Sequence, residues 1–191
     1  MRKSEQMTLL QKSYPVILLT MLLAVASVIL TYPANARGTF QFDSIDGGTL
    51  SLDDWRGQPV LVVNTASRCG YTRQYDELQA LYDRYKDRGL VVLAVPSNDF
   101  RQELASNAEV AEFCEVNFGL DFPMATITSV KGAMAHPFYT WLSQTEGFVP
   151  GWNFNKVLIA PDGSVAGTFG APVKPLSGQI TSQIEAMLAK G

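Results

Sequence analysis

The chain has 191 residues, 47% apolar and 17% charged, which suits one packed domain and excludes a disordered chain. With 15 basic and 18 acidic residues the net charge is -3, and no Lys/Arg block appears, which argues against a nucleic-acid partner. Two cysteines and one histidine are too few for a structural zinc or iron site, so neither metal nor cofactor is expected.

Residues 1–36 predict an export signal. Arg2, Lys3 and Lys12 give a positive start, and Val16 to Leu30 is an apolar run broken only by Thr20 and Ser27. Tyr32-Pro33 ends it, and Ala34-Asn35-Ala36 places small residues where a signal peptidase reads. The competing reading is an uncleaved membrane anchor facing the periplasm, but 15 apolar residues fall short of the roughly 20 that span a bilayer. Cleavage after Ala36 would leave an acidic periplasmic domain, residues 37–191, with 12 basic and 17 acidic residues. A domain of this size buries roughly 68–70% of its unfolded surface and needs no disulfide staple.

Within that domain, strand-like and helix-like segments alternate. Phe40 to Leu52 reads as a hairpin around Asp46-Gly47-Gly48. Pro59 to Thr65 is a β-branched run of the kind buried on both sheet faces. Tyr75, Leu78, Leu81, Tyr82 and Tyr85 fall at helical spacing, with Gly89 as the stop. Leu90 to Val95 is a second buried strand, ended by Pro96. Asn107 can cap a helix carrying Val110, Phe113 and Cys114, and another helix starts near His136-Pro137. Lys156–Ala160 and Ser164–Phe169 predict two strands joined by a tight turn at Pro161-Asp162-Gly163. Ile180, Ile184, Met187 and Leu188 mark a closing amphipathic helix. The order is that of an α/β, thioredoxin-like fold, a central mixed sheet flanked by helices with an N-terminal hairpin, although flavodoxin-like folds share the early β-α-β.

Cys69 lies between the strand ending at Thr65 and the helix beginning near Tyr75, beyond the carboxyl end of a central strand. A helix N-terminus there, with Arg68 and Arg73 alongside, favours a thiolate. A thiolate attacks a peroxide oxygen and becomes a sulfenic acid that a second thiol clears. A buried, inert cysteine is the alternative.

The run Asn64-Thr65-Ala66-Ser67-Arg68-Cys69-Gly70-Tyr71-Thr72 resembles the glutathione peroxidase signature. The resemblance continues in order through Pro96-Ser97-Asn98-Asp99-Phe100, Gln102-Glu103, Phe122-Pro123-Met124, Ala135-His136-Pro137 and Trp152-Asn153-Phe154. It implies a catalytic group of Cys69, Gln102, Trp152 and Asn153, in which three neutral donors serve the thiolate and the departing oxygen. It also implies hydroperoxides, organic and lipid ones included, as substrates, and a thioredoxin-like protein or glutathione as reductant. The match departs at one place: the loop before Gln102 is one residue short, lacking the family's Gly, and Leu104 replaces Pro. Asn98 is a partial substitute for Gln102 there. Cys114 sits on the helix that bears the resolving cysteine in thioredoxin-dependent members; a resolving role and a core role both stay open. His136 reads as a structural or capping residue.

The run Cys69-Gly70-Tyr71-Thr72 lacks the second cysteine of a disulfide oxidoreductase or copper chaperone, and Ala66 stands where peroxiredoxins have Thr. A non-catalytic exported scaffold that keeps the fold is the remaining alternative. The stretch from Gln144 to Trp152 is short, like that of the family's monomeric members, so a monomer is expected.

Overall fold

The computed structural model describes residues 39–189, so the export segment lies outside the described residues. A short antiparallel hairpin, β1 (Gln41–Asp43) and β2 (Thr49–Ser51), precedes the main sheet, pairing Phe42 with Leu50. The main sheet is built from β3 (Val60–Thr65), β4 (Val91–Pro96), β5 (Lys156–Ile159) and β6 (Val165–Phe169). Its order is β4-β3-β5-β6, with β3 parallel to β4 and antiparallel to β5, and β5 antiparallel to β6. The sheet is therefore mixed, as the sequence predicts, and β3, which leads into the Cys69 turn, is central.

Alternation along β3 divides the core into two layers. Leu61 and Val63 face Tyr75, Leu78, Leu81 and Tyr85 of α1 (Gln74–Tyr85), Val110 of α2 (Asn107–Phe118), and Ile180 and Ile184 of α4 (Gly178–Leu188). Val60 and Val62 face Phe138, Tyr139 and Leu142 of α3 (Pro137–Thr145), together with Phe40 and Phe42. Every residue of β3 and β4 is buried, which is why both strands are apolar runs, broken only by Asn64 and Thr65 at the end of β3. No helix of the described residues is long and apolar enough to cross a membrane.

Helix ends follow local chemistry. Gly89, with a φ of 103°, closes a 3-10 turn at Lys86–Arg88 after α1. The cap of α2 is Ser106 and not Asn107: Ser106 Oγ accepts from Glu109 N–H, and the Glu109 carboxylate returns to Ser106 N–H. Asn107 is used differently, its Oδ1 accepting from Ile127 N–H at 2.8 Å. His136 caps α3 through Nδ1, stacks on Phe42 with ring centroids 4.0 Å apart, and has its Nε2 2.7 Å from Gln41 O. That is the structural role the sequence suggests. Burial holds its pKa below the usual histidine value.

Loss of the α2 cap has a defined cost. Ser106→Ala removes the hydroxyl that accepts from Glu109 N–H, leaves the backbone N–H of residue 106 on the Glu109 carboxylate, and lowers unfolding stability by about 1 kcal/mol, read as a shifted urea midpoint at unchanged m-value; an unchanged midpoint would show the cap to be redundant.

Candidate active site

Three chain segments meet beyond the carboxyl end of β3: the turn from Ala66 to Arg73, the loop from Asn98 to Leu104, and the segment Trp152–Asn155. Cys69 lies in the first, just before α1. Its N–H donates to Thr72 Oγ1 at 3.0 Å, the Thr72 hydroxyl donates to Ala66 O at 2.9 Å, and Thr72 N–H returns to Cys69 O at 3.1 Å. Thr72 therefore fixes the turn. Tyr71 N–H points at Cys69 Sγ from 3.4 Å, a donor of the type that stabilises charge on sulfur. Cys69 is 8% exposed, so the residue is almost wholly buried. Arg68 and Arg73 are both exposed.

The Asn98–Leu104 loop is fastened to the same turn. Arg68 N–H donates to Gln102 O at 2.8 Å, and Ser67 N–H donates to Glu103 Oε1 at 3.0 Å. Glu103 Oε1 also accepts from Leu104 N–H at 2.8 Å, and Asn98 Oδ1 accepts from Glu103 N–H at 3.3 Å. The missing residue is absorbed at Arg101, which takes a left-handed φ of 57° and donates its N–H to Asn98 O. Gln102 thus reaches the turn despite the short loop, and the Asn98 amide oxygen is spent on holding it.

The third segment hangs from Asn64, the buried penultimate residue of β3. Asn64 Nδ2 donates to Trp152 O at 2.9 Å, Asn64 Oδ1 accepts from Asn155 N–H at 3.1 Å, and Asn64 O accepts from Phe154 N–H. Asn153 is fully buried, and its Nδ2 donates to Gln102 Oε1 at 3.0 Å, which joins the second and third segments. Asn153 Oδ1 is buried without a partner. Among the described residues nothing takes the Gln102 Nε2 donors. Trp152 is 43% exposed, its ring 5.3 Å from that of Phe100, and Lys131 Nζ lies 4.1 Å from the Phe100 centroid.

Of the residues singled out in the sequence, Gln102 and Asn153 are in direct contact, Cys69 adjoins them through the Arg68 backbone, and Trp152 is at the exposed edge. Cys114, on α2, is 1% exposed, and both cysteines are free thiols. Burial, opposed by the Tyr75 hydroxyl and assisted by the Glu103 charge, pushes the Cys114 thiol up to about 11. Desolvation likewise raises Glu103 above an ordinary carboxylate. Sequence reasoning assigned no role to Asn64, Thr72 or Glu103; a polar residue inside the apolar run of β3 was the available signal for Asn64. Among the described residues no three metal-ligating side chains cluster. An apolar cleft lined by Phe40, Trp55, Phe138 and Trp141 lies by Val60, at the opposite end of β3 from Cys69.

A cysteine set just before the first helix of a mixed sheet, in a turn fastened to the Gln102 loop, is the arrangement of a thioredoxin-like fold. A thioredoxin-family thiol:disulfide interchange protein from Chlorobium tepidum TLS shares the fold, with a TM-score of 0.58 over 78% of this chain and 93% of its own at 18% identity. The glutathione peroxidase family pattern matches residues 37–143. The hydroperoxy fatty acid reductase gpx1 of Synechocystis sp. is 39% identical over 81% of this chain and 99% of its own. The crystal structure of Trgpx in apo form matches with a TM-score of 0.62, 31% identity, and coverage of 80% of this chain and 95% of that one. The chain belongs to the glutathione peroxidase family and is a thiol-dependent peroxidase. The scaffold alternative is not favoured.

The raised Cys114 value carries a pH signature. Below about pH 9 the thiol is neutral folded and unfolded; between 9 and about 11 only the unfolded chain gives up the proton. The stability that Cys114 contributes is therefore complete below pH 9 and lost as pH rises to 11, on the order of 3 kcal/mol. Urea unfolding under reducing conditions should show the wild-type margin over Cys114→Ala narrowing across that window; a constant margin would mean that the thiol titrates normally.

Proposed function

We propose that the protein reduces hydrogen peroxide and organic or lipid hydroperoxides through Cys69. The Cys69 thiolate attacks the peroxide oxygen, the O–O bond breaks, and the products are a Cys69 sulfenic acid and an alcohol or water. Gln102, Trp152 and Asn153 supply neutral amide and indole donors to the thiolate and then to the departing oxygen, where a cationic partner would blunt the nucleophile. The observation that carries this reading is the fastening of Gln102 to the Cys69 turn, through Arg68 N–H, with its side chain bonded to Asn153. The Trp152–Phe100 pair, with Trp152 exposed and Phe100 half-buried, gives bulky hydroperoxides an apolar approach, in keeping with the name of the Synechocystis relative.

Cys114 then resolves the sulfenic acid as a Cys69–Cys114 disulfide, which a thioredoxin-like protein reduces. α2 unwinds locally to bring the sulfurs together, since bridged Cα atoms lie within about 7 Å. A periplasm holds no thiol buffer of the cytosolic kind, which favours a protein reductant over glutathione. The enzyme acts as a monomer, exported by residues 1–36.

Rapid-quench measurement of thiol oxidation should find Cys69→Ser inert, and Gln102→Ala and Asn153→Ala slowed on the order of 100-fold. Unaltered rates in all three would remove Cys69 from the chemistry. Mass spectrometry after one equivalent of peroxide should find the Cys69–Cys114 bond; Cys69 sulfinic acid beside a free Cys114 would point to an external thiol such as glutathione. Protein recovered from the periplasm should begin at Arg37, and recovery with residues 1–36 in the membrane fraction would instead establish an anchor.

A further inference from the structure

A polar cleft adjoins the outer edge of the active site, and the peroxide step makes no use of it. Lys131, Tyr139, Thr140, Ser143, Gln144 and Val149 line it, around about 400 Å³ of space. Tyr139 is 3% exposed, and its hydroxyl is buried without a partner. The Thr140 hydroxyl donates to Ala135 O at 3.2 Å, whereas Ser143 and Gln144 are exposed. Residues 37–191 carry 17 acidic and 12 basic side chains, yet among the described residues no Asp or Glu lines this cleft.

Lys131 is the wall that the cleft shares with the active site. Its Nζ lies 4.1 Å from the Phe100 centroid, and the Phe100 ring meets that of Trp152 at 5.3 Å. The two loops are locked together by backbone: Asp99 Oδ2 accepts from Val130 N–H at 2.6 Å and from Lys131 N–H at 3.1 Å. Among the described residues no ion pair takes the Lys131 ammonium, so the Phe100 ring is its contact. A ring covers one side of an ammonium, and three N–H donors leave it able to bind an anion as well. Outward from the site the order is Trp152, Phe100, Lys131 and then the cleft: apolar surface that ends on a positive charge. A neutral hydroperoxide can use only the rings. A carboxylate at the far end of an apolar chain would find charge and hydrogen-bond donors where it leaves water.

We propose that this cleft is a carboxylate subsite, in which Lys131 holds the ionised head of a free fatty acid whose hydroperoxide reaches Cys69 across the Phe100 and Trp152 rings. This rests on the lipid hydroperoxide reading given above and names the member of that class the site prefers. Lys131 supplies the charge, and the Ser143 hydroxyl and Gln144 amide supply neutral donors. The chemistry at sulfur is as before; Lys131 binds the substrate and takes no part in breaking the O–O bond.

The test compares linoleic acid hydroperoxide with its methyl ester, both below micellar concentration, and with hydrogen peroxide. Oxidation of Cys69 is followed in a single turnover without reductant, so that a carboxylate on glutathione plays no part. Wild type should react faster with the acid than with the ester, on the order of tenfold, and the preference should shrink as salt is added. Lys131→Met keeps an apolar stem for Phe100 and removes the charge; it should abolish most of the preference, and Lys131→Arg should keep it. Gln144→Glu places a carboxylate in the cleft without touching the Phe100 contact and should also abolish most of it. The acid-to-ester ratio within each protein cancels any general loss of Cys69 reactivity, which hydrogen peroxide reads directly. Equal rates for acid and ester in wild type overturn the subsite and leave the lipid hydroperoxide reading standing. A preference that survives both Lys131→Met and Gln144→Glu also overturns it, and points instead to Arg68 or Arg101, both exposed on the loops at Cys69. Oxidation by hydrogen peroxide with no reaction from either acid or ester overturns the lipid hydroperoxide reading and the subsite with it.

Discussion

The arrangement of the site depends on one side chain, Asn64. It sits 1% exposed in a strand that is otherwise apolar apart from Thr65, where an unpaired amide would cost on the order of 1–3 kcal/mol. Nothing in β3 itself can satisfy it. The Trp152–Asn155 segment does so with a backbone carbonyl and a backbone N–H, and in return is held against the strand that delivers Cys69. The same clamp draws Phe154 into a left-handed φ of 62°, uncommon for an aromatic residue, so strain and hydrogen bonding are settled together. With the segment fixed, Asn153 meets Gln102, and the loop carrying Gln102 meets the Cys69 turn.

A second buried polar knot secures the other end of that turn. Lys156, at the start of β5, has no solvent exposure; its Nζ donates to Gln74 Oε1 and to the Ala171 and Val173 carbonyls. Gln74 Nε2 donates to Ala171 O at 2.7 Å. Desolvation brings the amine down to about 8, yet three oxygen acceptors keep it tolerable in the core. The first residue of α1 is thereby tied to the loop after β6. The helix that carries the Cys69 turn at its head is pinned from below by a charge and from above by amides.

Much of this was legible in sequence. Apolar runs and helical spacing place all four core strands and all four helices, because burial on both faces writes itself as unbroken β-branched sequence, and burial on one face as periodicity. The ordered motifs bring Cys69, Gln102, Trp152 and Asn153 together before any coordinates. What sequence left unread was partnership. Asn107 looks like a cap as good as Ser106, and only the geometry shows that Ser106 forms the reciprocal pair with Glu109 while Asn107 reaches Ile127. The short loop cast doubt on Gln102 because backbone dihedral freedom at Arg101 has no sequence marker where a glycine would have been one. Glu103 passed as a neighbour of Gln102, since nothing in a sequence tells which oxygen of a carboxylate is satisfied.

The left-handed Arg101 also sets how this region can vary. A loop that closes only by forcing a side-chain-bearing residue into the αL region is already at its minimum length. Deletion of one more residue would pull Gln102 off Arg68 N–H, whereas insertion of a glycine would relieve strain at little entropic cost. Length variation among descendants of this sequence is therefore one-sided: the loop can grow, and it cannot shrink.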